Sequence, residues 1–224
     1  MGIFNTIKVL IYTLTESYKI INKMKKEGSE KFFTASKTWA NKLLKIAGIE
    51  VEVNKNELDT SKSYVIVSNH SSYLDIPILI ATLDVPFVIM YKKELEKIPI
   101  FGKGLELSPF ISIIRTSPRD AIKSLDKAID LLNSGISVLI FPEGTRTLNG
   151  ELGIFKKGAT RIAYKSNKAI LPVKIIGSYK LMPKNSSMLN KGKVKIEIKP
   201  AIPFEEYKDI PENDLLIKLK EILS

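Results

Sequence analysis

The chain has 224 residues, enough for one substantial α/β core with an appendage. It holds no cysteine and a single histidine, which excludes a disulfide framework and thiolate metal sites, argues against a zinc centre and fits an intracellular protein, so no metal is expected. The formal charge of +11 comes from 31 lysines and only four arginines against 24 acidic residues, a field that suits an anionic partner without choosing among nucleic acid, anionic lipid and phosphorylated metabolites.

Residues 3–21 repeat apolar side chains at helical spacing: Ile3, Ile7, Leu10, Ile11, Leu14, Tyr18 and Ile21 fall on one stripe, with Lys8, Glu16, Lys19 and Lys23 on the other side. A simple membrane span needs about 20 mostly apolar residues, and Lys8 and Lys19 argue against one. The segment also lacks a secretory cleavage pattern. A basic turn (Lys23, Met24, Lys25, Lys26) precedes Ser29, which can cap a second helix carrying Phe32, Trp39, Leu43 and Ile46 and ending at Gly48. Residues 1–48 therefore read as an amphipathic two-helix hairpin. Its apolar face can lie in an anionic bilayer surface or pack on the domain core.

From residue 49 onward strands and helices alternate. Strands are predicted at 49–53, 64–68, 87–91, 110–114, 137–141, 170–176 and 193–199, and helices at 73–83, 118–133, 157–165 and 214–223. The fold class is α/β: residues 49–224 form a mixed or largely parallel sheet of about seven strands flanked by helices.

The only histidine, His70, directly follows a strand-like run, and Asp75 lies five residues on. In an unbroken helix that spacing would set the two side chains about 140° apart. A break is available, because Ser71 or Ser72 can be an N-cap and Ser72 to Asp75 has capping-box spacing. His70 is then expected on a strand-to-helix turn, with Asp75 in the first helical turn reaching back to it as base and orienter.

A second constellation follows the strand predicted at 137–141. In Phe141-Pro142-Glu143-Gly144-Thr145-Arg146, Gly144 permits a tight turn, Thr145 supplies a hydroxyl, and Arg146 with Lys156 and Lys157 supplies cationic donors for a phosphate. There is no GxxxxGK[ST] and no GxGxxG. Arg115 and Arg146 each follow an apolar run, where a planar fork of donors suits phosphate oxygens, whereas Arg119 and Arg161 fall in helical segments.

Together these residues resemble the glycerolipid acyltransferase family, and within it the 1-acyl-glycerol-3-phosphate acyltransferases. The block NHxxxxD is matched by Asn69, His70 and Asp75, and FPEGTRS by residues 141–146, with Thr147 replacing serine. Phe155-Lys156-Lys157-Gly158 is similar to FKKG, Leu171-Pro172-Val173 to the final proline block, and Tyr91 to Leu95 followed by Ile98 to Gly102 to a further segment. Residues 110–115 correspond to the second block, but they lack its leading glycine and carry Ile114 where an acidic residue often precedes arginine.

The resemblance implies that His70 deprotonates the sn-2 hydroxyl of lysophosphatidic acid as it attacks an acyl thioester, with Asp75 holding the imidazole. It further implies that Arg115 and the Glu143-Gly144-Thr145-Arg146 turn hold the acceptor phosphate, Thr145 and Arg146 as direct ligands and Glu143 orienting a cation or the glycerol hydroxyl, with Lys92 a further candidate. The co-substrate would be acyl-CoA or acyl carrier protein, with no cofactor. The hairpin would dock the enzyme, peripheral or monotopic, on the cytoplasmic face of the cell membrane, an anionic surface. Other readings are transfer to another lysolipid, a serine hydrolase using Ser71 or Ser72 without a GxSxG elbow, or a non-catalytic anionic-lipid-binding module. Nucleic acid is not an expected partner, since the aromatics are not interleaved with the basic residues.

Overall fold

The computed structural model describes residues 2–27, 31–54, 56–114 and 118–224. In chain order the elements are α1 (Gly2–Glu27), α2 (Phe32–Ala47), β1 (Ile49–Asn54), β2 (Val65–Ser68), α3 (Asp75–Thr82), β3 (Phe87–Lys92), a 3₁₀ turn (Lys93–Lys97) and α4 (Phe101–Leu107). Then come β4 (Ile111–Ile113), α5 (Pro118–Asn133), β5 (Ser137–Ile140), α6 (Gly158–Ser166), β6 (Ile170–Ile176), α7 (Ser178–Leu181), β7 (Gly192–Ile198), α8 (Phe204–Tyr207) and α9 (Glu212–Leu223).

The seven strands form one sheet in the order β1-β7-β6-β2-β5-β3-β4. Strands β6, β2, β5, β3 and β4 run parallel, β7 is antiparallel to β6, and β1 is parallel to β7. This is the mixed, mostly parallel α/β sheet that the sequence predicts. All four β2 residues are buried, as expected for a strand covered on both faces. Alternation sends Ile66 toward Leu43, Leu44, Ile78 and Leu79 of α2 and α3. Its neighbours Val65 and Val67 join Leu132, Ile162, Ala163 and Leu219 of α5, α6 and α9 on the other face.

The two N-terminal helices take different positions, which the hairpin reading does not anticipate. Helix α2 belongs to the main core, burying Ala40, Leu43, Leu44 and Ala47 in the same cluster as the sheet. Helix α1 presents a polar and mixed side to the body: Val9 and Tyr12 pack on that cluster, and buried Asn5 donates from Nδ2 to Ala47 O at 2.8 Å. Its apolar residues Ile3, Phe4, Ile7, Leu10, Ile11 and Tyr18 are exposed. The run from Lys23 to Lys26, predicted as a turn, lies within α1, whose helix continues to Glu27. The side chains of Ile21 and of this run, and the predicted cap Ser29, lie outside the described residues. Among the described residues, no helix is long and apolar enough to cross a membrane.

The short helices α7 and α8 and a longer connection are missing from the sequence reading. Between β3 and β4 the chain forms the 3₁₀ turn and then α4, entered through Ile100 at φ +65°. Gly102 is required there, because a Cβ would come within 2.1 Å of the Glu96 carbonyl oxygen.

Candidate active site

The sheet topology places the site. Adjacent strands β2 and β5 are parallel, with Val67 paired to Ile140. The chain leaves β2 through α3 toward β3 on one side and leaves β5 through α6 toward β6 on the other. Two neighbouring connections that part in this way open a crevice at the carboxyl ends of their strands. His70 follows β2 and the 141–146 turn follows β5, so adjacent strands deliver the two motifs side by side at that edge of the sheet. β1 and β7 run the opposite way, so their first residues, Ile49 and Gly192, reach the same edge.

His70 Nδ1 lies 2.9 Å from Asp75 Oδ2. The same oxygen accepts the backbone N–H groups of Ser71 at 2.7 Å and Ser72 at 2.8 Å, and Oδ1 accepts the Ser178 hydroxyl at 2.6 Å. The bend between strand and helix is thus closed by the carboxylate itself. Half of the predicted capping box forms, the Asp75 bond back to Ser72 N–H, while the Ser72 hydroxyl accepts from Leu74 N–H instead. The helix begins at Asp75, two residues later than predicted.

Asp75 is fully buried, and a buried carboxylate is tolerated when donors surround it. A carboxylate only accepts, so the bond to Asp75 calls for a proton on Nδ1, and in the neutral imidazole the lone pair then lies on Nε2. The imidazole ring stacks on Phe141, centroids 4.0 Å apart and planes 15° apart, and its side chain is 16% exposed. Asn69 fixes the preceding residue by bonding both ways with Ile175 of β6: Nδ2 donates to its carbonyl and Oδ1 accepts its N–H.

Residues 141–144 form a turn closed by Gly144 N–H donating to Phe141 O, with Gly144 at φ +69°. An added Cβ there would lie 3.2 Å from Lys156 Nζ, so this ammonium lies over the turn. The Arg146 guanidinium lies over the Tyr73 ring, Cζ 3.4 Å from its centroid. Its Nη1 is buried without a hydrogen-bond partner among the described residues. Thr145 Oγ1 accepts from Lys184 Nζ at 3.0 Å. Three cations therefore surround one short turn beside the imidazole.

Glu143 ties the turn to two other segments of the backbone. It is buried, with Oε1 accepting His70 N–H at 2.8 Å and Oε2 accepting Gly153 N–H at 2.9 Å. Each oxygen holds a backbone N–H, so Glu143 braces the loop against the histidine. Lys92 ends β3, two strands from β2 on the same edge, and pairs with Glu94 at 3.5 Å. Arg115 lies outside the described residues. Ser178 and Lys184 were missed by the sequence reading; they lie 103 and 39 residues from Asp75 and Thr145.

Neither serine beside His70 is positioned as a nucleophile. The Ser71 hydroxyl lies 2.9 Å from that of Ser178, and the Ser72 hydroxyl donates to Met182 O. Both side chains are buried, which removes the hydrolase reading.

The family model described as Acyltransferase matches residues 49–176. A chloroplast 1-acyl-sn-glycerol-3-phosphate acyltransferase of Arabidopsis thaliana is 36% identical over 169 residues, covering 75% of this chain and 47% of that protein. A 1-acyl-sn-glycerol-3-phosphate acyltransferase of Borreliella burgdorferi is 37% identical over 158 residues, covering 70% of this chain and 63% of that protein. The chain spans about half the length of the plant and algal relatives among them, 40% to 47%. The crystal structure of the 1-acyl-sn-glycerophosphate acyltransferase from Thermotoga maritima shares the fold, with a TM-score of 0.76 over 98% of this chain and 94% of that one, at 23% identity.

Proposed function

This chain belongs to the acyltransferase family, and on that premise we propose that it moves a fatty acyl group from an acyl thioester to the sn-2 hydroxyl of 1-acyl-glycerol-3-phosphate, giving phosphatidic acid. The observation that carries the reading is an imidazole fixed by a buried carboxylate, near a guanidinium whose buried Nη1 has no hydrogen-bond partner among the described residues: a base next to a site for an anion. Nε2 of His70 takes the hydroxyl proton as the oxygen attacks the thioester carbonyl. Nδ1 meanwhile keeps its bond to Asp75, whose charge stabilises the imidazolium. Collapse of the tetrahedral adduct expels the thiolate, which takes the proton back from Nε2. The acceptor alcohol is itself the nucleophile, so no acyl-enzyme forms. The thioester is already activated, so the step calls on no cofactor, and acyl-CoA or acyl carrier protein serves as donor. Arg146, Lys156 and Thr145 hold the acceptor phosphate, with Lys92 and Arg115 as further cations.

The outward apolar stripe of α1 gives this chemistry a location. It is placed for shallow insertion into an anionic bilayer surface, where both acceptor and product reside. The enzyme is then peripheral, on the cytoplasmic face, and the acceptor enters from the lipid. Incubation of the purified protein with lysophosphatidic acid and a panel of acyl-CoA and acyl carrier protein thioesters tests the reading. Free thiol and phosphatidic acid are expected in equal amounts. Thiol without diacyl product, or preference for a lysolipid lacking the phosphate, overturns it.

Ser178 provides a further check. A carboxylate only accepts, so Ser178 donates to Asp75 and must accept from Ser71, which makes a directed chain from Ser71 through Ser178 to Asp75. Ser178→Ala removes one charge-assisted bond from the orienting carboxylate and is expected to lower kcat about tenfold at unchanged KM. Ser178→Thr should restore most of the loss. Steady-state kinetics of the two variants decide this.

A further inference from the structure

Outside α1, the two most exposed large apolar side chains among the described residues both lie on the loop that follows the 141–146 turn. Ile154 is 86% exposed and Leu148 63%, while their neighbour Phe155 is buried in the core. This exposure does not come from a loose loop. Thr147 N–H donates to His70 O, Gly153 N–H to Glu143, Lys156 N–H to Pro142 O, and the Tyr179 hydroxyl to Leu148 O. The polar residues turn on one another: Thr147 Oγ1 donates to Asn149, and Asn149 Nδ2 to Glu151. The loop is held at both ends by the catalytic histidine and its brace, and it presents two large aliphatic side chains outward.

The same rim continues to α1. Tyr179 packs on Gly150 and Lys184 reaches Thr145; a few residues on, Ser187 O accepts the Thr6 hydroxyl and Met188 meets Gly2. Met188 is itself exposed between the two. Residues 178–192, which join loop and helix, carry three lysines and no acidic residue. Apolar groups from separate parts of the chain thus lie along one edge of the sheet, with cations between them.

We propose that the loop spanning 147–154 is a second membrane anchor, inserting Leu148 and Ile154 into the headgroup and acyl boundary of an anionic bilayer beside α1. The inference rests on the lipid-acceptor reading above and extends it: the site mouth itself is seated in the bilayer. The lysines between the two apolar groups face anionic headgroups. Burial of each aliphatic side chain supplies affinity. Because the loop hangs from His70 and Glu143, insertion brings the acceptor to the imidazole from the lipid side.

The test uses the full chain and vesicles of equimolar phosphatidylcholine and phosphatidylglycerol. The double variant Leu148→Asp/Ile154→Asp is expected to co-sediment at least about tenfold more weakly than the parent protein, since two apolar contacts are lost. Ile154→Trp should shift its emission to the blue with those vesicles and be quenched by brominated acyl chains. The double variant should keep its turnover of a short-chain acceptor below its micellar concentration and lose turnover of acceptor embedded in vesicles. Unchanged sedimentation, or a tryptophan at position 154 that still reports water, overturns the proposal. So does a change in oligomeric mass without lipid, which would make the patch an interface between copies, or a loss confined to soluble assays with acyl carrier protein. Should the parent protein transfer acyl groups to neither acceptor, the proposed function fails, while sedimentation and fluorescence still decide the anchor.

Discussion

His70→Ala is expected to lower kcat for acyl transfer to lysophosphatidic acid by about 10²- to 10⁴-fold, the range that a positioned general base contributes. The chain has no second histidine to take its place. The acceptor KM should change by less than about threefold, because the guanidinium and ammonium groups assigned to the phosphate do not depend on the imidazole. The fold should survive: the ring is partly exposed, and the bonds that close the bend come from the backbone N–H groups of residues 70 to 72, which alanine retains at position 70. An unchanged circular dichroism spectrum with a kcat loss of this size would place the base at residue 70. A loss below about fivefold would mean that another group takes the proton.

Much of this arrangement is legible in the chain, for reasons that differ from residue to residue. The pairing of His70 with Asp75 follows from spacing, since five residues across a strand-to-helix bend leave few other geometries. The sheet follows from short, nearly continuous apolar runs such as Val65-Ile66-Val67, which need cover on both faces. The stripe on α1 is equally visible, but a periodic pattern does not say what buries it. Only the packing shows that α2 joins the core and α1 turns its stripe outward.

The bracing by Glu143 is not legible in the sequence, because a carboxylate in a Pro-Glu-Gly turn looks the same whether it faces ligand or backbone. Its role depends on His70 N–H and Gly153 N–H, which the fold delivers from two other segments. Ser178 lies in no recognisable motif. It reaches Asp75 because β6 ends beside β2 and Gly177, at φ +97°, turns the chain over the site. Contacts of this kind depend on strand order, which local pattern does not encode.

Arg146 carries the second large effect. Burial of a cationic donor without a partner is costly, and the contact with the Tyr73 ring holds the fork in place without satisfying Nη1. A phosphate oxygen removes that cost, and a hydrogen bond between charged groups contributes about 1.5–3 kcal/mol. Arg146→Ala is therefore expected to raise the KM for lysophosphatidic acid roughly 10- to 100-fold while kcat falls little, since the contact exists in ground and transition states alike. Arg146→Lys should recover only part of this, because an ammonium keeps the charge but loses the planar fork. With a monoacylglycerol acceptor, which has no phosphate, parent and variant should be equally poor. A variant deficit that persists with that acceptor would assign Arg146 to the loop or the donor and leave the phosphate to the lysines.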